Sequence, residues 1–302
     1  MNPNIFFGGG VFGCIYHIGV VRALYEANQT NLTVYANSAG AIIATCYVCN
    51  IPTDEITQIF ANVATNTISK IIENPGKMGS YQLTEHAFDI FDRIHYLAPD
   101  AYKQCSGRLK IGINLDGLGF QWRDTFASNV DLFHTLLCSL NVPYLCNYDA
   151  QMDGVRCIDG GFGFVMSRDL PRDTFTITLY GKNDSDLDAN IPFLHRILPP
   201  PNADWERYLK NGYDDMKYRL DTGTVKSRPK YPEFSLENMV SSNAIQMALC
   251  HLQAKMGGNY DYSVLVERYK QVNLRFNDVV VSASVTDPPP LLETGSDNGR
   301  IY

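Results

Sequence analysis

Three short segments of this 302-residue chain combine residue types and spacings that can do chemistry. The first is Gly8-Gly9-Gly10-Val11-Phe12-Gly13, set between a short apolar run (Ile5–Phe7) and an apolar helical stretch from about Cys14 to Asn28. Gly8, Gly10 and Gly13 have GxGxxG spacing, which suits a dinucleotide site or any anion held by backbone N–H groups. A dinucleotide site also needs an acid near the end of the second strand to hold the ribose. The second strand read here, Leu32–Ala36, runs into Asn37, and no charged residue occurs between Glu26 and Asp54. That leaves two readings: a row of N–H groups for an oxyanion, or simply a tight strand-to-helix turn.

The second segment is Ala36-Asn37-Ser38-Ala39-Gly40, between that strand and an apolar helix ending near Cys49. A serine between small residues at such a turn has the form of a nucleophile elbow, in which a strained backbone presents the hydroxyl. Ala36 stands where the first glycine of GxSxG would be. The same serine also suits an N-cap. The third segment is Ile158-Asp159-Gly160-Gly161, an acid at a strand end followed by two glycines. It reads either as a pre-positioned, partly dehydrated carboxylate or as a turn aspartate.

The elements around these segments alternate strand, loop, helix, strand, turn, helix through the first 50 residues, which predicts a mainly parallel sheet with helices on its faces. Pro52-Thr53-Asp54-Glu55 opens a further helix, and helices are expected over Thr84–Ile94 and Val130–Leu140. Strands are expected at Arg108–Leu115, Gly119–Trp122 (a hairpin), Val155–Ile158 and Phe175–Tyr180. Pro199-Pro200-Pro201 marks a boundary. Beyond it, helices are expected at Trp205–Leu220, Leu236–Lys255 and Tyr262–Val272. The expected organisation is therefore a catalytic unit over residues 1–198, a helical region over 199–287 packed on it, and a disordered tail over 288–302.

Composition narrows the classes of function. Hydrophobic residues are 45% and charged residues 19%, which is globular. The net charge of −7 argues against broad nucleic-acid binding, which needs a basic, phosphate-facing surface. The uncharged interval after Glu26 contains a clean apolar run, Ala39–Cys49, of only 11 residues. A membrane span needs about 20, so a buried core helix is expected instead. Asn2, Pro3 and Asn4 replace the basic start of a signal peptide. With no leader expected, the eight cysteines are expected to be reduced, and the Cys46/Cys49 pair lacks a partner pair for zinc. Lys226, Arg228 and Lys230 read as a solvated loop or a contact for anionic lipid headgroups.

Taken together, the glycine loop, a serine turn 25 residues after Gly13 and an Asp-Gly-Gly 121 residues after Ser38 resemble the patatin-like phospholipases, most closely the adiponutrin-type acylglycerol lipases. The resemblance spans about residues 4–190. It rests on Phe7–Gly13, Tyr16-His17-Ile18-Gly19, Ser38-Ala39-Gly40-Ala41, Ile51-Pro52, Gly107–Leu115, Cys138–Tyr144 and Ile158–Gly161. Where these relatives carry Asn-x-Pro about six residues past the aspartate, this chain has Val165-Met166-Ser167.

The resemblance implies a three-layer α/β/α fold and a Ser-Asp dyad. Ser38 would be the nucleophile and Asp159 its general base, with no metal or organic cofactor. An oxyanion hole would be drawn from Gly8, Gly9, Gly10, Val11 and Gly13. Asn37, Ala39 and Gly40 would shape the elbow beside Ala36, and Gly160 and Gly161 would shape the aspartate loop. The implied activity is cleavage of fatty-acyl esters of phospholipid or acylglycerol at a membrane or lipid-droplet surface, by a cytoplasmic, peripheral protein. The other class left open is an inert lipid-binding or partner-binding protein on the same scaffold. Phe12, Ile42 and Phe162 are candidate acyl-chain contacts. His17, on the first helix, reads as a packed core residue, and His86, His95, His134, His195 and His251 belong to no motif.

Overall fold

A computed structural model of the chain describes residues 3–73, 83–142, 146, 150–179, 185–192, 195–196 and 198–225. The helices expected at Leu236–Lys255 and Tyr262–Val272, the tail over 288–302 and the Lys226–Lys230 cluster lie outside the described residues.

The first half of the fold contains β1 (Asn4–Phe7), a 3-10 turn (Val11–Cys14), α1 (Ile15–Glu26), β2 (Thr33–Asn37), α2 (Ala39–Val48), α3 (Thr53–Glu73), α4 (Leu83–Leu97) and α5 (Ala101–Cys105). Next come β3 (Leu109–Leu115), β4 (Gly119–Arg123), α6 (Asn129–Leu140), β5 (Gln151–Met152) and β6 (Val155–Ile158). α7 (Met166–Asp169), β7 (Thr174–Thr178), β8 (Leu187–Asp188) and α8 (Asn202–Thr222) complete the described part. In space the strands run β5-β6-β3-β2-β1-β7-β8, with β4 also on β3. β7, β1, β2 and β3 are mutually parallel, β8 continues parallel, and β4, β6 and β5 enter antiparallel. The sheet is thus mainly parallel.

Alternation along the strands separates two faces. Ile5, Phe7, Val34, Ala36, Ile111 and Ile177 point to the side holding α1, α2 and α6, where the main core lies. Every residue of α2 is buried, which accounts for the long uncharged stretch: a helix apolar all round belongs at the centre. Phe6 and Tyr35 point to the opposite face. An aromatic layer covers them there: Phe164 stacks on Phe6 at 4.8 Å and Trp122 meets Tyr35 edge-on at 5.2 Å.

The polar helix α8 buries Trp205, Tyr208, Gly212, Asp215 and Met216. That face lies against α1 at very short range. A Cβ on Gly212 would sit 1.9 Å from the Tyr16 carbonyl oxygen, and one on Gly19 would sit 2.0 Å from the Leu209 oxygen. The Tyr16 hydroxyl donates to Asp215 Oδ2 at 2.9 Å, satisfying a buried carboxylate. No helix among the described residues is long and apolar enough to cross a membrane, and their seven cysteines are free thiols.

Two backbones this close leave no room for a methyl group. Gly212→Ala is expected to lower the unfolding free energy by about 1–3 kcal/mol. Lys210→Ala, exposed on the same helix, is expected to change it by less than about 0.5 kcal/mol. Urea unfolding of the two variants beside the wild type checks this.

Candidate active site

The sheet register brings the three segments together. Phe7 lies opposite Ala36, so β1 and β2 release the chain side by side and the glycine loop runs beside the serine turn. Gly112 lies opposite Asn37, and two residues further along β3 Asn114 lies opposite Ile158 of the antiparallel β6. β6 therefore runs back toward Ser38 and delivers Asp159 there.

Ser38 has φ 52° and ψ −141°, a left-handed conformation that only a demanding environment sustains in a non-glycine residue. It occupies the N-cap position of α2, yet its hydroxyl makes no capping hydrogen bond. The hydroxyl is thus not spent on capping. The neighbours make room for the turn: a Cβ on Gly9 would lie 2.5 Å from Ser38 Cβ, and one on Gly40 would lie 2.5 Å from the Phe7 oxygen. Ala36 is an ordinary buried strand residue and not among those with positive φ, so its methyl is accommodated. Ala39 is buried in the first turn of α2.

Two side chains tie the loops together. Ser139 Oγ accepts the Ser38 N–H at 2.9 Å and donates to the Gly112 oxygen at 2.7 Å. Asn37 Oδ1 accepts the Gly9 N–H at 2.8 Å, while its Nδ2 donates to the Gly160 oxygen at 3.5 Å. The aspartate loop is anchored in the same way, by Asp159 N–H to the Asn141 oxygen at 2.8 Å and Gly160 N–H to the Ser139 oxygen at 3.0 Å. Gly160 is obligatory, since a Cβ there would lie 2.0 Å from the Gly112 oxygen. The sequence reading assigned no role to Ser139 or Asn141, which lie inside the Cys138–Tyr144 stretch.

Asp159 is 4% exposed. Its Oδ1 accepts the Gly161 N–H at 2.8 Å, an Asx-type turn, so the turn reading of this residue is also realised. Its Oδ2 has no hydrogen-bond partner among the described residues. Burial raises the carboxyl pKa to about 6, against the opposing pull of the Ser38 hydroxyl and the Gly161 amide. The serine therefore acts on the carboxyl from beyond a closed hydrogen bond. In the loop that follows, Val165 N–H donates to Asp169 Oδ2 at 2.7 Å and Trp122 Nε1 donates to the Asp169 oxygen at 2.9 Å. These bonds support the segment that lacks Asn-x-Pro.

Several amides of the glycine loop are already engaged. The Gly8 amide pairs with the Ile177 oxygen at 2.9 Å, the Gly13 amide with the Gly10 oxygen at 2.7 Å, and the Gly9 amide with Asn37. None of these three is disposed as a free donor. The N–H groups of Gly10 (φ 146°) and Val11 (φ 26°) make no hydrogen bond among the described residues, and their backbones are turned into the left-handed half of conformational space. His17 Nε2–H donates to the Gly8 oxygen at 2.8 Å. Burial lowers the His17 pKa to about 4, so it is a neutral prop for the loop and not a base. His95, His134 and His195 bond elsewhere, and His251 lies outside the described residues.

Ser38 opens onto a cavity with mostly apolar walls. Val11, Phe12, Ile42, Phe60, Ile90 and Leu137 are among its walls. Phe162 is 52% exposed and does not line it, so of the three candidate acyl contacts Phe12 and Ile42 do. No cluster of metal-ligating side chains occurs among the described residues.

A family model described as "Patatin-like phospholipase" matches residues 5–173, more than half of the chain. Among curated proteins, a human omega-hydroxyceramide transacylase is 26% identical over 70% of this chain and 44% of its own length. The bovine patatin-like phospholipase domain-containing protein 2 is 30% identical over 75% of this chain and 51% of its own length. The chain therefore spans about half the length of these relatives. Among solved structures, that of VipD from Legionella pneumophila aligns with a TM-score of 0.46 at 14% identity, covering 94% of this chain and 80% of that one.

A carboxyl whose pKa is raised on folding stabilises the folded state fully below its unfolded value near 4 and loses that contribution as the pH rises through about 6. The loss amounts to about 3 kcal/mol. The stability of the wild type is expected to fall relative to Asp159→Asn between about pH 4 and pH 7. Urea unfolding of both proteins across that range checks this, and parallel curves would contradict it.

Proposed function

The chain belongs to the patatin-like phospholipase family, and from that premise we propose that it is a lipid acyl hydrolase that cleaves fatty-acyl esters through a Ser38–Asp159 dyad and an acyl-enzyme. The observation that carries this reading is a buried carboxylate, with one oxygen unpartnered, within electrostatic reach of an uncapped serine that lines an apolar cavity.

In the first step Ser38 Oγ attacks the ester carbonyl carbon while Asp159 Oδ2 takes the hydroxyl proton. Negative charge develops on the carbonyl oxygen, and the Gly10 and Val11 amides are the donors available to it. Preorganised donors of this kind are each worth about 3–4 kcal/mol of transition-state stabilisation. Collapse of the tetrahedral intermediate breaks the ester C–O bond, and the protonated Asp159 returns its proton to the departing alcohol. Water then attacks the acyl-enzyme, with Asp159 again as base; the bond between the acyl carbon and Ser38 Oγ breaks, Asp159 returns the proton to Oγ, and the fatty acid leaves.

An ordinary aspartate is a poor base for this task. Raising its pKa brings it nearer to neutrality, where proton acceptance is more favourable and the carboxylate is still the main form at pH 7. The cavity supplies the apolar surface for the acyl chain. Phospholipid or acylglycerol presented at a membrane or droplet surface is the substrate class that fits this reading, and the protein then works as a peripheral one at that surface.

The wild type is expected to be labelled by a fluorescent alkyl fluorophosphonate, and Ser38→Ala not at all. Asp159→Asn is expected to slow labelling between about a hundred- and ten-thousand-fold, the range of general-base contributions. Release of fatty acid from mixed phospholipid and acylglycerol vesicles is expected to fall in parallel. Equal labelling of wild type and Ser38→Ala would overturn the proposal.

A further inference from the structure

The cavity wall is hydrocarbon apart from a few polar side chains, and most of these are already accounted for. Ser38 is the proposed nucleophile, and Asn141 donates its side-chain N–H to the Cys157 oxygen at 2.7 Å. His86 is different. It sits on α4 next to Ala87 and one turn before Ile90, both of which line the same cavity. The residue is 2% exposed, and its Nε2 has no hydrogen-bond partner among the described residues.

A buried imidazole nitrogen left unsatisfied is costly, because it has given up water and gained no partner. The helix does not require a histidine here: the buried face of α4 continues with Ala87, Ile90, Phe91 and Ile94, and a leucine would fill the same place. Nor is His86 committed to a structural bond as His17 is, whose Nε2 holds the Gly8 oxygen. Burial keeps the His86 pKa below the ordinary imidazole value, so the ring is neutral near pH 7 and each of its nitrogens either donates or accepts. A hydroxyl group does both as well, and it enters hydrocarbon surroundings far more readily than a charged group.

We propose that His86 is a specificity residue that hydrogen-bonds a hydroxyl group carried on the acyl chain of the substrate, so that the cavity selects hydroxylated over unsubstituted chains. This rests on the reading of the cavity as the acyl-chain site of the Ser38 centre. An unsubstituted chain covers Nε2 with methylene groups and leaves it unpaired, whereas a hydroxylated chain of suitable position pairs it. The discrimination comes as much from the penalty on the wrong chain as from the bond to the right one.

The test uses Ser38→Ala protein, so that binding is read without turnover. Stearic acid and a positional series of hydroxystearic acids compete for a bound polyene fatty-acid fluorophore. At least one hydroxylated isomer is expected to compete about ten-fold better than stearic acid. His86→Leu on the same background is expected to abolish that ratio, and His86→Gln, which keeps a donor and an acceptor, to retain part of it. Thermal unfolding shows whether each variant is folded. No isomer preferred, or a preference that survives His86→Leu, would overturn the proposal. If no chain of either kind displaces the fluorophore, the cavity is not an acyl site. That result removes this part of the functional reading and the His86 proposal with it, while fluorophosphonate labelling of Ser38 reports separately on the dyad.

Discussion

The left-handed backbone at Ser38 is the constraint on which the site depends. A residue with a side chain rests there at φ 52° only because its surroundings over-determine it. Gly9 and Gly40 vacate the space its turn needs, and Ser139 takes its amide hydrogen. Asn37, next in the chain, clamps the glycine loop on one side and the aspartate loop on the other. The geometry of three loops is thereby set by one turn at the edge of the sheet. The strands need only bring Phe7 opposite Ala36 and Asn37 opposite Gly112 for that turn to find all its partners. Support extends outward from there. His17 on α1 holds the Gly8 oxygen, and α1 is in turn packed against α8 at the Gly19–Gly212 crossing. A helix beyond the region matched by the family model thus backs the helix that props the glycine loop.

Stability and reactivity pull in opposite directions at Asp159. Burial makes its ionised form expensive, and in the proposed mechanism that same burial turns a weak base into a useful one. One carboxylate oxygen is satisfied by the Gly161 amide, which fixes the side chain, and the other is left unpartnered near the serine. A fully satisfied carboxylate would be more stable and less able to accept a proton. Such a compromise belongs to a functional site more than to a structural turn.

Much of this was legible in the sequence because it is local. Triple glycine after a strand, a serine flanked by small residues and an Asp-Gly-Gly each state a backbone requirement that few other residues meet. The uncharged α2 and the acidic start of α3 were equally plain. What the sequence did not disclose arises only in three dimensions. Ser139 and Asn141 look like the ordinary end of a helix until β3 and β6 bring their carbonyls and side chains to the elbow. GxGxxG spacing does not say which amides the protein keeps for itself, and here Gly8, Gly9 and Gly13 are used internally. α5, α7 and the two-residue strands β5 and β8 were missed because elements that short are defined by their partners and carry no periodicity of their own. His86 had one readable signal, a polar residue at the helical spacing of Ala87, Ile90 and Ile94, but only the cavity gives it meaning.

The proposed mechanism makes a buried aspartate, with its pKa raised toward neutrality, the base that activates Ser38. The pH dependence of kcat/KM for ester hydrolysis tests this most directly, because it reports the ionisation of the free enzyme's essential base. The rate is expected to rise with pH through a single ionisation near 6 and then level off. A profile already flat above about pH 4.5, as expected for an aspartate at its ordinary pKa, would contradict it.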